Sequence, residues 1–303
     1  MRRVAVTIGD LNGIGVELAL RNHKYIKKFV EPIYCIDKTM LQRASKLLDI
    51  RIPKDFQIVG KIANPFEIEA GRITRESGVY SFASFLRAIE LAKQEEVEKI
   101  VTLPINKKAW ELAGVKYKGH TDALRDIFNK DAIMMLGVPS MFIALYTEHI
   151  PLKRVVDEVK NIKKLSNFLI DFYSNIELRD GEKIALLGVN PHAGDGGVLG
   201  NEERYILEAR EIAHRTIRKN IFTLPIVPDI AFTPNIRARY RYFIAIYHDQ
   251  GLAPLKALYF DSAINVSLNL PIKRVSVCHG TAFDIAYKGV KLNSQSYINA
   301  IKF

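Results

Sequence analysis

Apolar and polar positions alternate along this chain in two periods. Short runs rich in β-branched and aromatic residues, Val4–Ile8, Ile33–Ile36, Ile100–Leu103, Phe142–Tyr146, Ile184–Val189 and Phe243–Tyr247, are bounded by Gly, Pro, Asn or Asp and predict buried strands. Longer amphipathic stretches lie between them. The clearest is Tyr80–Lys93, where Phe82, Phe85, Leu86, Ile89, Leu91 and Ala92 recur at near-helical spacing after a Ser-Gly start. Strands alternating with helices predict an α/β fold with a largely parallel sheet. No Gly/Ser- or Pro-rich linker and no internal repeat divides the chain.

Composition adds that the whole chain should fold. It has 303 residues, enough for two ordinary domains, with 48% hydrophobic and 25% charged residues and no low-complexity tract. The opening "MRRVAVTIGD" carries an apolar run too short for a signal-peptide core or a membrane span, so the expected compartment is the cytoplasm. Cys35 and Cys278 are too few for a disulfide framework, which agrees. A net charge of +11 favours anionic partners. The cations are scattered ("KKF", "KNIKK", "RARYR"), and neither a basic block nor a zinc-finger or RNA-binding motif accompanies them. That pattern speaks against nucleic acid and for a solvated basic surface.

The placement of histidines is more informative. His149 follows "FIALYTE", His192 follows "IALLGVNP" and His248 follows "FIAIY", each just past the end of a predicted strand. In open α/β sheets ligands bind at that edge. Taken singly, each reads more readily as a hydrogen-bonded loop residue than as a ligand. Jointly, with turn-forming or acidic neighbours (Glu148 and Pro151, Pro191 and Gly194, Asp249 and Gly251), they form a candidate metal set. Neutral imidazoles without cysteine suit Zn²⁺, Co²⁺ or Ni²⁺, and three protein ligands leave room for substrate. His23 and His214 stand in helix-like segments and read as surface or packing residues.

Two further stretches carry candidate chemistry. "KGHTDAL" puts His120 and Thr121 at a helix start, with Thr121 or Asp122 as cap; a plain cap and an anion site fit it equally. "CHGTAFDIAYKG" offers Gly280 for close backbone approach and Asp284 as acceptor for a ribose hydroxyl. "GDLNGIG" has the wrong glycine spacing for a dinucleotide fingerprint and reads as a tight strand-to-helix turn.

"TIGDLNGIG", "GHTD", "NPHAGDGG", "YHDQGLAPLK" and "HGTAFDIA", in this order across nearly the whole chain, resemble the PdxA family, the 4-hydroxythreonine-4-phosphate dehydrogenases of pyridoxal phosphate biosynthesis. The resemblance implies oxidation of a phosphorylated hydroxythreonine by NAD, followed by decarboxylation of the β-keto acid. It also implies a divalent metal (Zn, Co or Mg) on His149, His192 and His248, and substrate contacts from His120, Thr121, Lys256, Asn265 and Arg274. His120 is the candidate proton acceptor, with a metal-bound water as the other. Gly280 and Asp284 would line the cofactor's adenosine half, with Asp284 disfavouring a 2′-phosphate. Asp229 keeps an acidic position able to orient a ligand.

The implied architecture is two α/β domains flanking a cleft, similar to isocitrate and isopropylmalate dehydrogenases: residues 1–118 with 263–303, and residues 119–262 with the metal ligands. A homodimer whose active site takes ligands from both subunits is also implied. Relatives acting on threonate or erythronate 4-phosphate are the alternative. A metal-free phosphate acyltransferase of similar fold is a rival from another class. The chain departs from the family pattern at Leu11 and Val16, which replace prolines, at Cys278, and at Tyr287, where "AYKG" stands for "AGKG".

Overall fold

The computed structural model describes residues 1–303. The chain divides into two compact units, one of residues 1–130, 264–266 and 270–303, the other of residues 131–263 and 267–269.

The first unit opens with β1 (Arg3–Thr7), α1 (Gly15–Ile26), β2 (Glu31–Cys35), α2 (Lys38–Leu48), β3 (Gln57–Ile58) and α3 (Arg75–Lys93). It continues with β4 (Lys99–Thr102), α4 (Lys107–Leu112) and α5 (His120–Phe128). Later residues return to it, as set out below. β1 lies between β2 and β4, with Val6 opposite both Tyr34 and Val101, and every pairing is parallel.

Helix α3 starts at Arg75 rather than Tyr80, because Thr74 caps it by accepting the Ser77 N–H at 3.2 Å. The first turns escape a periodicity reading because they are buried through small residues. A Cβ on Gly78 would stand 2.0 Å from the Ala109 carbonyl oxygen. Ser81 accepts the Trp110 indole N–H at 2.9 Å, while Ser84 accepts the Ile8 N–H and donates to the Cys35 carbonyl. Trp110, Phe85 and Ile89 form a core with Ala123 and Leu124 of α5. That packing is why residues 119–130, expected in the second domain, belong to the first: the apolar face of α5 is buried there.

The second unit comprises β5 (Ile133–Val138), β6 (Met141–Leu145), α6 (Val155–Lys160), α7 (Ile162–Ser174), β7 (Ile184–Leu186), α8 (Glu203–Ile217), α9 (Pro234–Arg237), β8 (Tyr242–Ala245) and α10 (His248–Tyr259). β5 and β6 form an antiparallel hairpin about Pro139 and Ser140, an exception to the parallel expectation. β8 pairs in parallel with β6 on one side and β7 on the other. Strand β9 (Ile264–Leu268) is shared between the units, and β10 (Arg274–Val277), parallel to β4, and α11 (Gln295–Lys302) complete the first. No helix is long and apolar enough to cross a membrane.

Candidate functional site

In the second unit three parallel neighbours, β6, β8 and β7, end side by side, and each runs on into one of the candidate histidines. His248 is the first residue of α10, half-buried, with Nδ1 3.3 Å from an Asp249 carboxylate oxygen. His149 stands exposed after β6, and its ring lies 5.5 Å from that of His248, tilted by 44°. These two the structure brings together. His192 it does not: nowhere does the chain gather three His, Cys, Asp or Glu side chains able to hold a metal.

His192 sits exposed on an unusual turn, Pro191–Gly197. From His192 to Gly196 every residue has positive φ (52°, 51°, 82°, 44°, 64°), a left-handed run that includes His192, Ala193 and Asp195. Each non-glycine residue there costs roughly 1–2 kcal/mol of steric strain, so the surroundings must hold the turn. Glu203, buried at the start of α8, does so by accepting the Val189 and Asn190 N–H groups at 2.9 and 2.8 Å and the Asn190 side-chain amide at 2.9 Å. Buried Gln250 joins two of the three strand ends, its Oε1 accepting the Ile246 N–H at 2.7 Å and its Nε2 donating to the Gly188 carbonyl at 2.6 Å. The Thr147 hydroxyl donates to the Ile246 carbonyl at 2.7 Å, tying in the third. Sequence reading missed Glu203 and Gln250; the signal available was a polar residue at a helix start immediately after a glycine-rich turn or a histidine. Lys256 and Asp229 are exposed in this unit.

In the first unit His120 is the first residue of α5 and is buried, its ring edge-on to Phe85 and Trp110 at 4.6 and 5.3 Å. Neither Thr121 nor Asp122 caps the helix. Asp122 instead accepts the Lys118 N–H at 3.0 Å, and Gly119 leads in. Burial, reinforced by the Arg274 charge, holds His120 well below the usual histidine range, so the ring is neutral at pH 7. Its Nε2 has no hydrogen-bond partner, and neither does buried Oδ1 of Asn265. Arg274 is buried too; burial draws its guanidinium down to about 9, still cationic at neutral pH, and it donates to Thr102 Oγ1 at 3.1 and 2.7 Å. Buried polar atoms without internal partners are costly unless a ligand satisfies them, and a buried cation in the same unit suits an anionic one.

The "HGTAFDIA" segment is also in this unit. A Cβ on Gly280 would meet nothing within 4 Å, so open space, not the chain, adjoins that glycine, and Asp284 is exposed. That space leaves the backbone at Gly280 open to close approach from outside the chain. "GDLNGIG" is filled by the chain itself. A Cβ on Gly9 would stand 2.2 Å from the Pro104 oxygen, and Asn12 bonds to Glu69, Arg72 and Thr74. Two departures from the family pattern meet here, since the Tyr287 hydroxyl donates to the Leu11 carbonyl at 2.7 Å. Tyr287 has φ 60°, a conformation glycine adopts without strain. His23 and His214 are buried packing residues, bonded to Tyr34 and Asp55 and to the Phe222 N–H respectively.

Histidines beyond the carboxyl ends of neighbouring strands in one unit, and a guanidinium with a neutral imidazole buried in the other, are the chemistry of an α/β enzyme. The family model of the pyridoxal phosphate biosynthetic protein PdxA matches residues 28–303. A 4-hydroxythreonine-4-phosphate dehydrogenase of Sulfurimonas denitrificans is 54% identical over 300 residues, 99% of this chain and 96% of its own. One of the same name from Campylobacter fetus is 49% identical over 302 residues, with the same coverage of 99% and 96%. The crystal structure of the 4-hydroxythreonine-4-phosphate dehydrogenase of Klebsiella pneumoniae superposes with a TM-score of 0.80 at 31% identity, covering 99% of this chain and 98% of that one. A terephthalate 1,2-cis-dihydrodiol dehydrogenase of Burkholderia xenovorans shares the fold, with a TM-score of 0.67 at 22% identity. The chain belongs to the PdxA family.

Proposed function

We propose that the chain is an NAD-dependent 4-hydroxythreonine-4-phosphate dehydrogenase of vitamin B6 biosynthesis, working in the cytoplasm as a homodimer. The secondary alcohol loses a hydride to the dinucleotide and a proton to a base. The β-keto acid so formed loses CO₂, and 3-amino-2-oxopropyl phosphate remains. The observation that carries this reading is the anion receptor of the first unit: Arg274, buried and cationic, together with the unpartnered polar atoms of His120 and Asn265.

Arg274 suits two oxygens of a phosphate or carboxylate through the N–H donors of its guanidinium. His120 enters neutral, so it binds by hydrogen bonding until an anion beside it raises its basicity; it then accepts the hydroxyl proton at Nε2. Thr121 and Lys256 supply further polar contacts to the phosphorylated substrate. Gly280 and Asp284 hold the adenosine end of NAD, the Asp284 carboxylate repelling a 2′-phosphate.

His149 and His248 would hold a divalent metal, completed by His192. Imidazole donors suit Zn²⁺ or Co²⁺ better than Mg²⁺, which prefers oxygen. When bound, such an ion acidifies a coordinated hydroxyl and stabilises the charge left by departing CO₂. Because one chain pairs His149 with His248 and holds His192 outward on its turn, the set closes when a second copy supplies the third histidine. Apart from Met1, the most exposed large apolar side chains all belong to this unit: Val198 (80%), Leu152 (68%), Leu224 and Phe260 (64% each). Val198 follows the His192 turn directly, the arrangement of a dimer contact that carries a ligand with it.

The test is NADH formation from 4-phosphohydroxythreonine by the metal-loaded and the chelator-treated protein, with threonate and erythronate 4-phosphates assayed beside it. Chelator-sensitive turnover with the amino acid phosphate preferred supports the reading. Turnover unaffected by chelator, or preference for a four-carbon sugar acid phosphate, overturns it.

A further inference from the structure

The turn that carries His192 is built against the backbone's preference, yet no regular element encloses it. Its one buried charged anchor is Glu203. Although Glu203 opens α8, its carboxylate does not bond to that helix's own N–H groups; it reaches back 13 and 14 residues to Asn190 and Val189. The Asn190 side chain adds a third donor at 2.9 Å and also bonds to Glu202 at 2.7 Å. The turn wraps the carboxylate closely: a Cβ on Gly194 would stand 2.7 Å from Glu203 Oε2, and one on Gly188 would stand 3.3 Å from Oε1. The glycines at 188 and 194 are thus where the chain passes over a buried charge, and three converging donors call for an acceptor-only group, which a carboxylate is and an amide is not.

We propose that Glu203 is the positioning residue of His192, its carboxylate holding Val189–Asn190 so that the left-handed turn presents the imidazole in one orientation. Removing it frees the turn to relax toward right-handed conformations, which move His192 without disturbing His149, His248 or the first unit. The inference rests on His192 being a metal ligand.

The experiment compares the full-length wild type with Glu203→Gln and Glu203→Ala. The readouts are thermal melting, hydrogen–deuterium exchange of the metal-free protein over residues 188–200, Co²⁺ affinity from visible absorbance, and KM for NAD. Expected is a folded Glu203→Gln protein with faster exchange confined to that segment, Co²⁺ binding weakened about 10–100-fold and KM for NAD unchanged; Glu203→Ala should show the same with a larger loss. Equal Co²⁺ affinity and equal exchange in Glu203→Gln and wild type would overturn the positioning role alone. Failure of the wild type itself to take up Co²⁺ would overturn the metal reading, and the proposal with it. Should both Glu203 variants fail to fold, Asn190→Ala carries the test, because it strips one donor and leaves the carboxylate its two N–H partners. A several-fold weaker Co²⁺ affinity with faster exchange supports the role, and no change overturns it.

Discussion

At the scale of single residues, burial decides which groups are poised to act. Arg274 and His120 lie in the same unit and the same low-dielectric surroundings, and burial pushes both toward neutrality. Only the imidazole crosses into the neutral form at pH 7, which leaves one fixed cation beside one hydrogen-bonding ring. Replacing Arg274 by Lys keeps the charge and loses the fork; a charged hydrogen bond is worth about 1.5–3 kcal/mol, so KM for the phosphorylated substrate should rise roughly 10–100-fold. Steady-state kinetics checks this, and a KM within twofold of wild type would remove Arg274 from the site. Of this pair, the sequence shows a histidine before a helix and an arginine in a strand. It does not show that their surroundings are dry, because that depends on Phe85, Trp110 and Thr102, which come from other elements.

At the scale of elements, two contacts make testable demands. Gly78→Ala would gain up to about 1 kcal/mol of helix propensity. The added methyl, however, would press on the Ala109 backbone, so α3 and α4 must separate; overpacking costs about 1–3 kcal/mol, and the clash wins. Chemical denaturation should show a net loss of stability.

Lys99 is the second contact. It is buried in β4, and its Nζ donates to the Ala300 and Ile301 carbonyls, at 3.1 and 2.7 Å, at the end of α11. Burial lowers its pKa to about 8, below the value of roughly 10.4 expected in the unfolded chain. Between these values the unfolded state binds more protons, so stability should rise with pH through this window and level off above it. Melting temperatures recorded from pH 7.5 to 10.5 should show the rise in wild type, relative to a smaller or absent rise in Lys99→Met.

At the scale of the molecule, His192 and the exposed apolar residues that follow it, Val198 and Leu199, form the surface on which a second copy would dock. Val198→Glu should give a monomer by sedimentation, with Co²⁺ binding and NADH formation lost together while the melting temperature changes little. A monomer that keeps full metal affinity would show that one chain closes its own metal site.

The amino-acid sequence by itself determined the α/β alternation, the positions of most strands and the strand-end placement of His149, His192 and His248. All of these follow from local periodicity and from turn-forming neighbours, which are properties of adjacent residues. It also carried the family through motifs whose order survives without any contact being known. Only the tertiary structure decided that α5 packs with the first unit, that β5 runs antiparallel to β6, and that His149 and His248 pair while His192 stays outside. It alone revealed Glu203, Gln250 and Thr102, because a polar residue becomes an anchor through partners distant in sequence. Tertiary packing chooses those partners; periodicity along the chain does not.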